Sequence, residues 1–306
     1  MSRRPDFLFV GHPRSGSGRL DDYLKRHPDL FMARKELHFF GSDLEYNHPT
    51  RTLDNYLAHF EAASPEQRVG ESSTWYLAST QAAEEIYDFV PDARIVMMLR
   101  EPVSWLHSLH SHMVFAAYED ITDFSEALAA EPDRAAGRRL PPHSIPKGGV
   151  LYRSLVRYRD QVRRYFDVFG RERVHVVIFD DFKADPGQVL DGVLAFLGVR
   201  TDFPGREDVV HGNPRAKNSN RVHRSRRLHR WLKRPPQRSV LHGLVEPPVP
   251  GYDRLLSGLH YINLKNAPRP PMPADLRAQL QEDFREEVAA LEALLDRDLS
   301  AWRTAR

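Results

Sequence analysis

The chain contains no cysteine. That absence excludes disulfides, thiolate metal sites and cysteine nucleophiles together, and it suits a protein kept in a reducing compartment. An excess of charge of either sign is also lacking: 44 Lys and Arg stand against 42 Asp and Glu, a net charge of +2. So near neutrality, the molecule as a whole does not read as a binder of polyanions, and any basic site has to be local. No apolar run approaches the roughly 20 residues of a membrane span, and the opening MSRRPDFLFVGHP has too short an apolar stretch for a signal peptide. A soluble, cytoplasmic protein without a transmembrane segment is the resulting expectation. Internal repeats and extended low-complexity tracts are missing too. With 306 residues the chain can bury a substantial core, and nothing in its length requires more than one domain over residues 1–306.

What is present is an alternation. Short apolar runs with the character of buried strands occur at Phe7 to Val10, Ile95 to Leu99 and Val174 to Phe179, separated by long helical patterns. This predicts an α/β sandwich with a central, mainly parallel sheet flanked by helices, whose ligands bind beyond the carboxyl ends of the strands. Tyr152, Leu155, Val156, Tyr158, Val162, Tyr165 and Phe166 mark one packing helix region, and Val189 to Leu197 another. Leu276, Leu280, Phe284, Val288, Leu291, Leu295, Leu299 and Trp302 predict a long amphipathic closing helix. Two segments break the alternation. Residues 118–149 turn from acidic to Pro-, Arg- and Gly-rich, which predicts an excursion over the cleft, a lid or acceptor-binding element. Residues 215–238 are strongly basic.

The stretch FLFVGHPRSGSGRL, Phe7 to Leu20, reads as strand, glycine-rich turn and helix. Such a turn presents backbone N–H groups and a positive helix end to an anion, so Ser15, Gly16, Ser17, Gly18 and Arg19 are candidate phosphate ligands, with Arg14 adding a permanent cation. Gly11 and Gly16 fall where GxxxxGK[ST] has its glycines, but Ser17 and Gly18 replace the Lys and the Ser/Thr. A P-loop kinase or GTPase therefore lacks both its phosphate-sensing lysine and its magnesium hydroxyl. It also lacks a magnesium-binding aspartate after the strand Val96 to Leu99, which ends in Arg100. KELHFF, Lys35 to Phe40, offers Glu36 as a candidate base, and its apolar neighbours are expected to raise the carboxyl pKa. In RIVMMLREPVSWLHSLHSH, from Arg94, a strand ends at Arg100 and Ser108 follows on a helix, so that an Arg and a hydroxyl can grip a second phosphate.

In this order the motifs resemble those of the sulfotransferases that use 3′-phosphoadenosine 5′-phosphosulfate (PAPS). PRSGSGRL is similar to their 5′-phosphosulfate loop, KELHFF to the KEPHFF-type stretch of the heparan-sulfate sulfotransferase branch, and LREPVSWLHS to the RxPxxRxxS motif of the 3′-phosphate site. VHVVIFDDFKADPGQVLDGVLAFLGV, Val174 to Val199, resembles the family's strand-turn-helix, so the likeness runs from Phe7 to about Val199. It implies a P-loop-like three-layer sandwich and sulfuryl transfer from PAPS to a hydroxyl or amine of a small-molecule, glycan or lipid acceptor, leaving 3′,5′-adenosine bisphosphate (PAP) without a metal.

Residue by residue, the resemblance implies that Arg14 offsets charge on the leaving phosphate and that Ser15 to Arg19 line the 5′-phosphate. Arg100 and Ser108 match the 3′-phosphate ligands. Phe179 falls near the adenine, and Lys217 and Arg221 are candidates for a late basic loop over the 3′-phosphate. Glu36 takes the position of the catalytic base and His38 that of its supporting histidine. His12, His107, His110 and His112 compete as bases, because other members of the wider family use a histidine. There are departures. Gly18 replaces a Thr, Trp105 stands where a second Arg is expected, and Ser72 replaces a lysine of the heparan-type enzymes, which speaks against a highly sulfated polysaccharide acceptor. Trp75 and Tyr76 can stack on a sugar or pack in the core. The alternative reading of the basic residues Arg221 to Arg234 is nucleic-acid binding, which the near-neutral whole does not favour.

Overall fold

Phe7 and Phe9 of the first strand face one apolar layer, and Leu8 and Val10 face another, all four buried. The fourth strand repeats the division, with Val96 and Met98 on the first side and Ile95, Met97 and Leu99 on the second. Strands buried on both faces read as continuous apolar runs, and that is the physical origin of the pattern seen in the sequence. The computed structural model describes residues 3–44, 51–141, 146–211, 221–233, 259, 261–267 and 269–304.

Five parallel strands form the sheet, in the order β2-β3-β1-β4-β5. They are β1 (Phe7–Gly11), β2 (Leu30–Met32), β3 (Arg68–Ser72), β4 (Arg94–Leu99) and β5 (Val174–Ile178). The helices up to the last strand are α1 (Ser17–Leu24), α2 (Leu53–Ala58), α3 (Ala82–Phe89), α4 (Pro102–Phe115), α5 (Phe124–Ala129), α6 (Glu131–Ala135), α7 (Tyr152–Leu155) and α8 (Tyr158–Phe169). After β5 come α9 (Phe179–Ala184), α10 (Pro186–Leu197), α11 (Arg206–His211), α12 (Arg226–Lys233), α13 (Ala274–Asp283) and α14 (Arg285–Leu295). One layer takes Leu20, Tyr23 and Leu24 of α1, Phe182 of α9 and the apolar stripe of α10. The opposite layer takes Tyr56 of α2, Ile86 of α3, Leu106 and Leu109 of α4, Val162 and Tyr165 of α8 and Leu291 of α14. The result is the three-layer α/β sandwich with a parallel central sheet that the sequence predicts.

The expected strands are present. Phe179 is the exception, since it opens α9 rather than closing β5. Two strands of the five-stranded sheet escape the sequence reading: β2 is only three residues long, and β3, RVGES, has a single apolar side chain. The expected long closing helix is divided. Phe284 separates α13 from α14, and Asp296, with φ 52°, ends α14 before the short turn at Ser300–Trp302. The helical region from Tyr152 is likewise two helices, α7 and α8.

Outside the main sheet, β6 (Arg221–His223) pairs antiparallel with β7 (Leu264–Asn266), and His223 Nε2 lies 3.1 Å from the Phe115 carbonyl at the end of α4. The described part of the 118–149 excursion contains α5 and α6 and no strand. It is fastened by the fully buried Arg134, which bonds both carboxylate oxygens of Glu119 at 2.7 and 2.8 Å while Tyr152 donates to the same carboxylate at 2.8 Å. Breaking one half of such a buried pair leaves an uncompensated charge. Arg134→Met is therefore expected to lower the unfolding free energy by about 3 kcal/mol in urea titration.

Candidate active site

β1 and β4 lie side by side, and the segments leaving their carboxyl ends form the site. After Gly11 the chain makes a turn that Gly16 closes as N-cap of α1, at φ 109°. A Cβ on Gly16 would stand 2.5 Å from the Phe179 ring and 2.7 Å from Met98 Sδ, so only glycine fits there. The first-turn amides of α1 have no partner inside the helix, which leaves those of Ser17 and Gly18 suited to an anion. Ser15, buried, spends its hydroxyl on the His12 carbonyl at 2.8 Å and so shapes the turn. Trp105, where a second Arg was expected, buries its indole and donates from Nε1 to the Pro13 carbonyl at 2.8 Å. It holds the loop's backbone instead of supplying a charge.

Cations converge on this loop. Arg14 Nε reaches Ser108 Oγ at 3.4 Å, and Arg100 Nη1 donates to the Arg14 carbonyl at 3.1 Å. Arg100 also reaches Ser104 Oγ at 3.2 Å and lies over the Phe179 ring, 5.0 Å from its centre. Lys35 Nζ donates to Ser17 Oγ at 3.2 Å, which brings an ammonium to the residue that stands where a P-loop has its lysine. A further arginine, Arg269, was not apparent in the sequence. Burial first, and then the charge of Arg269, hold the pKa values of both Arg14 and Arg100 below the usual guanidinium value. Among the described residues no carboxylate pairs at ion-pair distance with Arg14, Arg100 or Arg269. Part-buried cations that repel one another, offset at Arg100 only by the charge of the neighbouring Glu101 and the Tyr158 phenol, fit a bound anion.

Not every expected ligand joins the cluster through its side chain. Arg19 turns its guanidinium onto Tyr23, bonding the phenol oxygen at 2.7 Å and lying 5.8 Å from the Phe182 ring centre. Arg221 begins β6, whereas Lys217 lies outside the described residues.

The second component is the strip from Lys35 to Gly41. Glu36 Oε2 lies 2.9 Å from His38 Nε2 and accepts from Thr74 Oγ1 at 2.8 Å. Burial pushes the Glu36 carboxyl up, as the sequence predicted. The hydrogen bond and charge of His38, the charge of Lys35 and the Thr74 hydroxyl outweigh it, and the net pKa is lowered, not raised. Glu36 is thus a carboxylate at neutral pH, ready to take a proton. Arg14, His38 and Trp75 all occupy the left-handed region, at φ 69°, 49° and 80°, so backbone strain is concentrated around the site.

Two of the competing histidines, His12 and His110, are buried and hydrogen-bonded within the protein. His12 is 1 % exposed, bonds Gln161 Oε1 at 2.8 Å and has its pKa pushed down to about 4, mainly by burial. His107 also falls to about 4, through burial first and then Arg269. His110 is buried and sits 3.0 Å from the Ile121 carbonyl. Trp75 and Tyr76 are buried, so they pack in the core instead of offering a stacking face.

A multi-cation anion site beside an ionised carboxylate suits displacement at an anionic donor by a nucleophile whose proton the carboxylate removes. The model of the sulfotransferase family matches residues 5–203. A solved sulfotransferase from Alicyclobacillus acidocaldarius is 32% identical, covering 99% of this chain and 100% of that one, with a TM-score of 0.70. Curated relatives include the bifunctional heparan sulfate N-deacetylase/N-sulfotransferase 1 of Caenorhabditis elegans, 24% identical over 65% of this chain and 22% of that protein. The membrane-associated sulfotransferase kil1 of Dictyostelium discoideum is 27% identical over 68% of this chain and 59% of its own. The chain thus spans between about a fifth and three-fifths of the length of these two curated relatives. Among the described residues, no helix is long and apolar enough to cross a membrane.

Proposed function

The chain belongs to the sulfotransferase family, and from that membership we propose that it moves a sulfuryl group from PAPS to a hydroxyl or amine, with Glu36 as the base. The observation that carries this reading is the adjacency of Lys35 and Glu36: one bonds Ser17 of the anion loop while the other is held ionised by His38 and Thr74. A proton acceptor is thereby tied to the place where the donor's phosphate binds.

PAPS, when bound, supplies the activated sulfuryl group and a phosphate leaving group. The amides of Ser17 and Gly18, with Lys35 and Arg14, hold the 5′-phosphate and offset its growing charge. Arg100, Ser108 and Arg269 hold the 3′-phosphate, and Phe179 borders the nucleoside. Glu36 orients the acceptor's O–H or N–H and removes its proton as the new bond to sulfur forms. With charge balanced by side chains and amides, the proposal gives no role to a metal. The acceptor class we propose is a small molecule, glycan or lipid, in a soluble cytoplasmic setting. The heparan sulfate enzymes among the relatives favour a glycan, while Ser72 in place of the heparan-type lysine argues for one that is not highly sulfated.

Binding experiments separate this reading from its rivals. PAP is expected to bind in high salt, with no retention of the protein on DNA and no preference for ATP. Salt-sensitive retention on DNA without PAP binding contradicts it. The pH profile provides a second check. Because only the carboxylate accepts a proton, kcat falls as pH drops through the Glu36 pKa, which the wild type holds below the ordinary carboxylate value. In His38→Ala the upward push of burial loses its main opponent. The acid limb of kcat is therefore expected to move to higher pH. A profile identical to wild type would show that His38 does not set the state of the base.

A further inference from the structure

Behind the strip that carries Glu36 lies a carboxylate with no exposure at all, Glu71 on β3. It accepts three hydrogen bonds, from Ser73 Oγ at 2.6 Å, Tyr76 OH at 2.7 Å and Tyr56 OH at 2.7 Å. A carboxylate can only accept, so all three hydroxyl protons must point at Glu71. The oxygens of Ser73 and Tyr76 then turn their remaining lone pairs outward, and those lone pairs meet the strip. Ser73 Oγ accepts from the Leu37 amide at 2.9 Å and the His38 amide at 3.0 Å, and Tyr76 OH accepts from the Phe40 amide at 3.2 Å. On the opposite side Arg51 donates to the carbonyls of His38, Phe40 and Gly41 at 2.8, 2.9 and 3.0 Å. The strip's backbone dipoles are therefore clamped between a buried anion and a guanidinium, and the clamp includes His38, which sits at φ 49°.

We propose that Glu71 is a positioning residue for sulfuryl transfer, polarising the Ser73 and Tyr76 hydroxyls so that they fix the backbone of residues 37–40 and with it the Glu36–His38 pair. The inference rests on the reading of Glu36 as the base. An amide at position 71 would offer an N–H to the same cluster. That N–H meets the Tyr56 hydroxyl, which alone faces Oε2, while a neutral oxygen takes the place shared by Ser73 and Tyr76; the charge that polarises their hydroxyls is gone, and the clamp loosens. Burial of Glu71 favours the protonated form and raises its pKa, while the three hydroxyls and the charge of His38 oppose that rise.

The test compares Glu71→Gln and Ser73→Ala, alone and combined, with Glu36→Gln as control. Ser73→Ala keeps the buried carboxylate and decides the matter if Glu71→Gln does not fold. The expected result is a kcat about 10–100-fold lower in each variant, as for a base displaced by a fraction of an ångström to an ångström. PAP affinity should be unchanged, because the loop and its arginines are not touched. The acid limb of kcat should move to higher pH as His38 drifts from Glu36, and the double variant should be no worse than the poorer single one. Wild-type kcat and an unmoved acid limb overturn the proposal. So does a loss of kcat matched by an equal loss of PAP-binding sites at an unmoved acid limb, since that reports unfolding only. If Glu36→Gln itself turns over normally, the base assignment fails; if it is inactive while Glu71→Gln and Ser73→Ala are normal, only the role of Glu71 fails.

Discussion

Glu36→Gln is expected to lower kcat by about 10²–10⁴-fold while PAP binds as tightly as to the wild type, the range general-base catalysis supplies. The substitution keeps the side chain's size and its acceptor for the Thr74 hydroxyl, so the strip stays in place. What it removes is the group that takes the acceptor's proton. Pre-steady-state transfer with saturating PAPS separates the two quantities, since the proposed cofactor site draws on Arg14, Arg100 and the loop, not on Glu36. Unchanged turnover would remove Glu36 from the chemistry and reopen the question of the base.

Arg14→Ala is expected to lower kcat by about 10²–10³-fold, the loss seen when one preorganised donor to a developing anion is deleted. Its effect on kcat should exceed that of Ser108→Ala, which removes a neutral hydroxyl 3.4 Å from the guanidinium, one proposed to touch the 3′-phosphate and not the leaving group. The mechanism is electrostatic. Arg14 is part-buried beside Arg100 and feels Arg269, so its charge is incompletely screened where the leaving phosphate builds up negative charge. Arg14→Lys should recover only part of the rate, because an ammonium cannot keep both the Ser108 contact and the phosphate. Measured kcat values for the three variants, with PAP affinities alongside, check the ranking. An Arg14→Ala enzyme as fast as the wild type would place the leaving-group charge elsewhere.

The parts of this architecture that were legible are those whose physics is local. β1, β4 and β5 announce themselves because a strand covered on both faces must be apolar throughout, and the turn after β1 because Gly11, Gly16 and Gly18 cluster within one short stretch. β3 was not legible, although it lies next to β1. Gly70 is small because the Phe7 ring crosses it, and Glu71 is tolerated because hydroxyls from α2 and from the turn after β3 satisfy it. Neither reason can be seen in RVGES.

The site divides in the same way. Arg14, Glu36, His38, Arg100 and Ser108 stand in short motifs, and the fold brings their segments together. Arg269 sits in the tract APRPPMP, which has no periodicity, and only tertiary packing places its charge beside Arg14 and Arg100. Trp105 looked like a lost cation, whereas its indole N–H anchors the loop through Pro13. The Glu36 carboxyl was expected to titrate high from its apolar neighbours. The folded site instead adds His38, Lys35 and Thr74, and their sum reverses the sign.

The most direct measurement follows both products at once, using PAPS that carries radiolabelled sulfate and a panel of hydroxyl- and amine-bearing small molecules, glycans and lipids. The account predicts that label appears on one acceptor class in step with PAP release, one for one, and that Glu36→Gln stops both. PAP release that leaves the label as free sulfate, or acceptor-dependent phosphate transfer from ATP with none from PAPS, would contradict it.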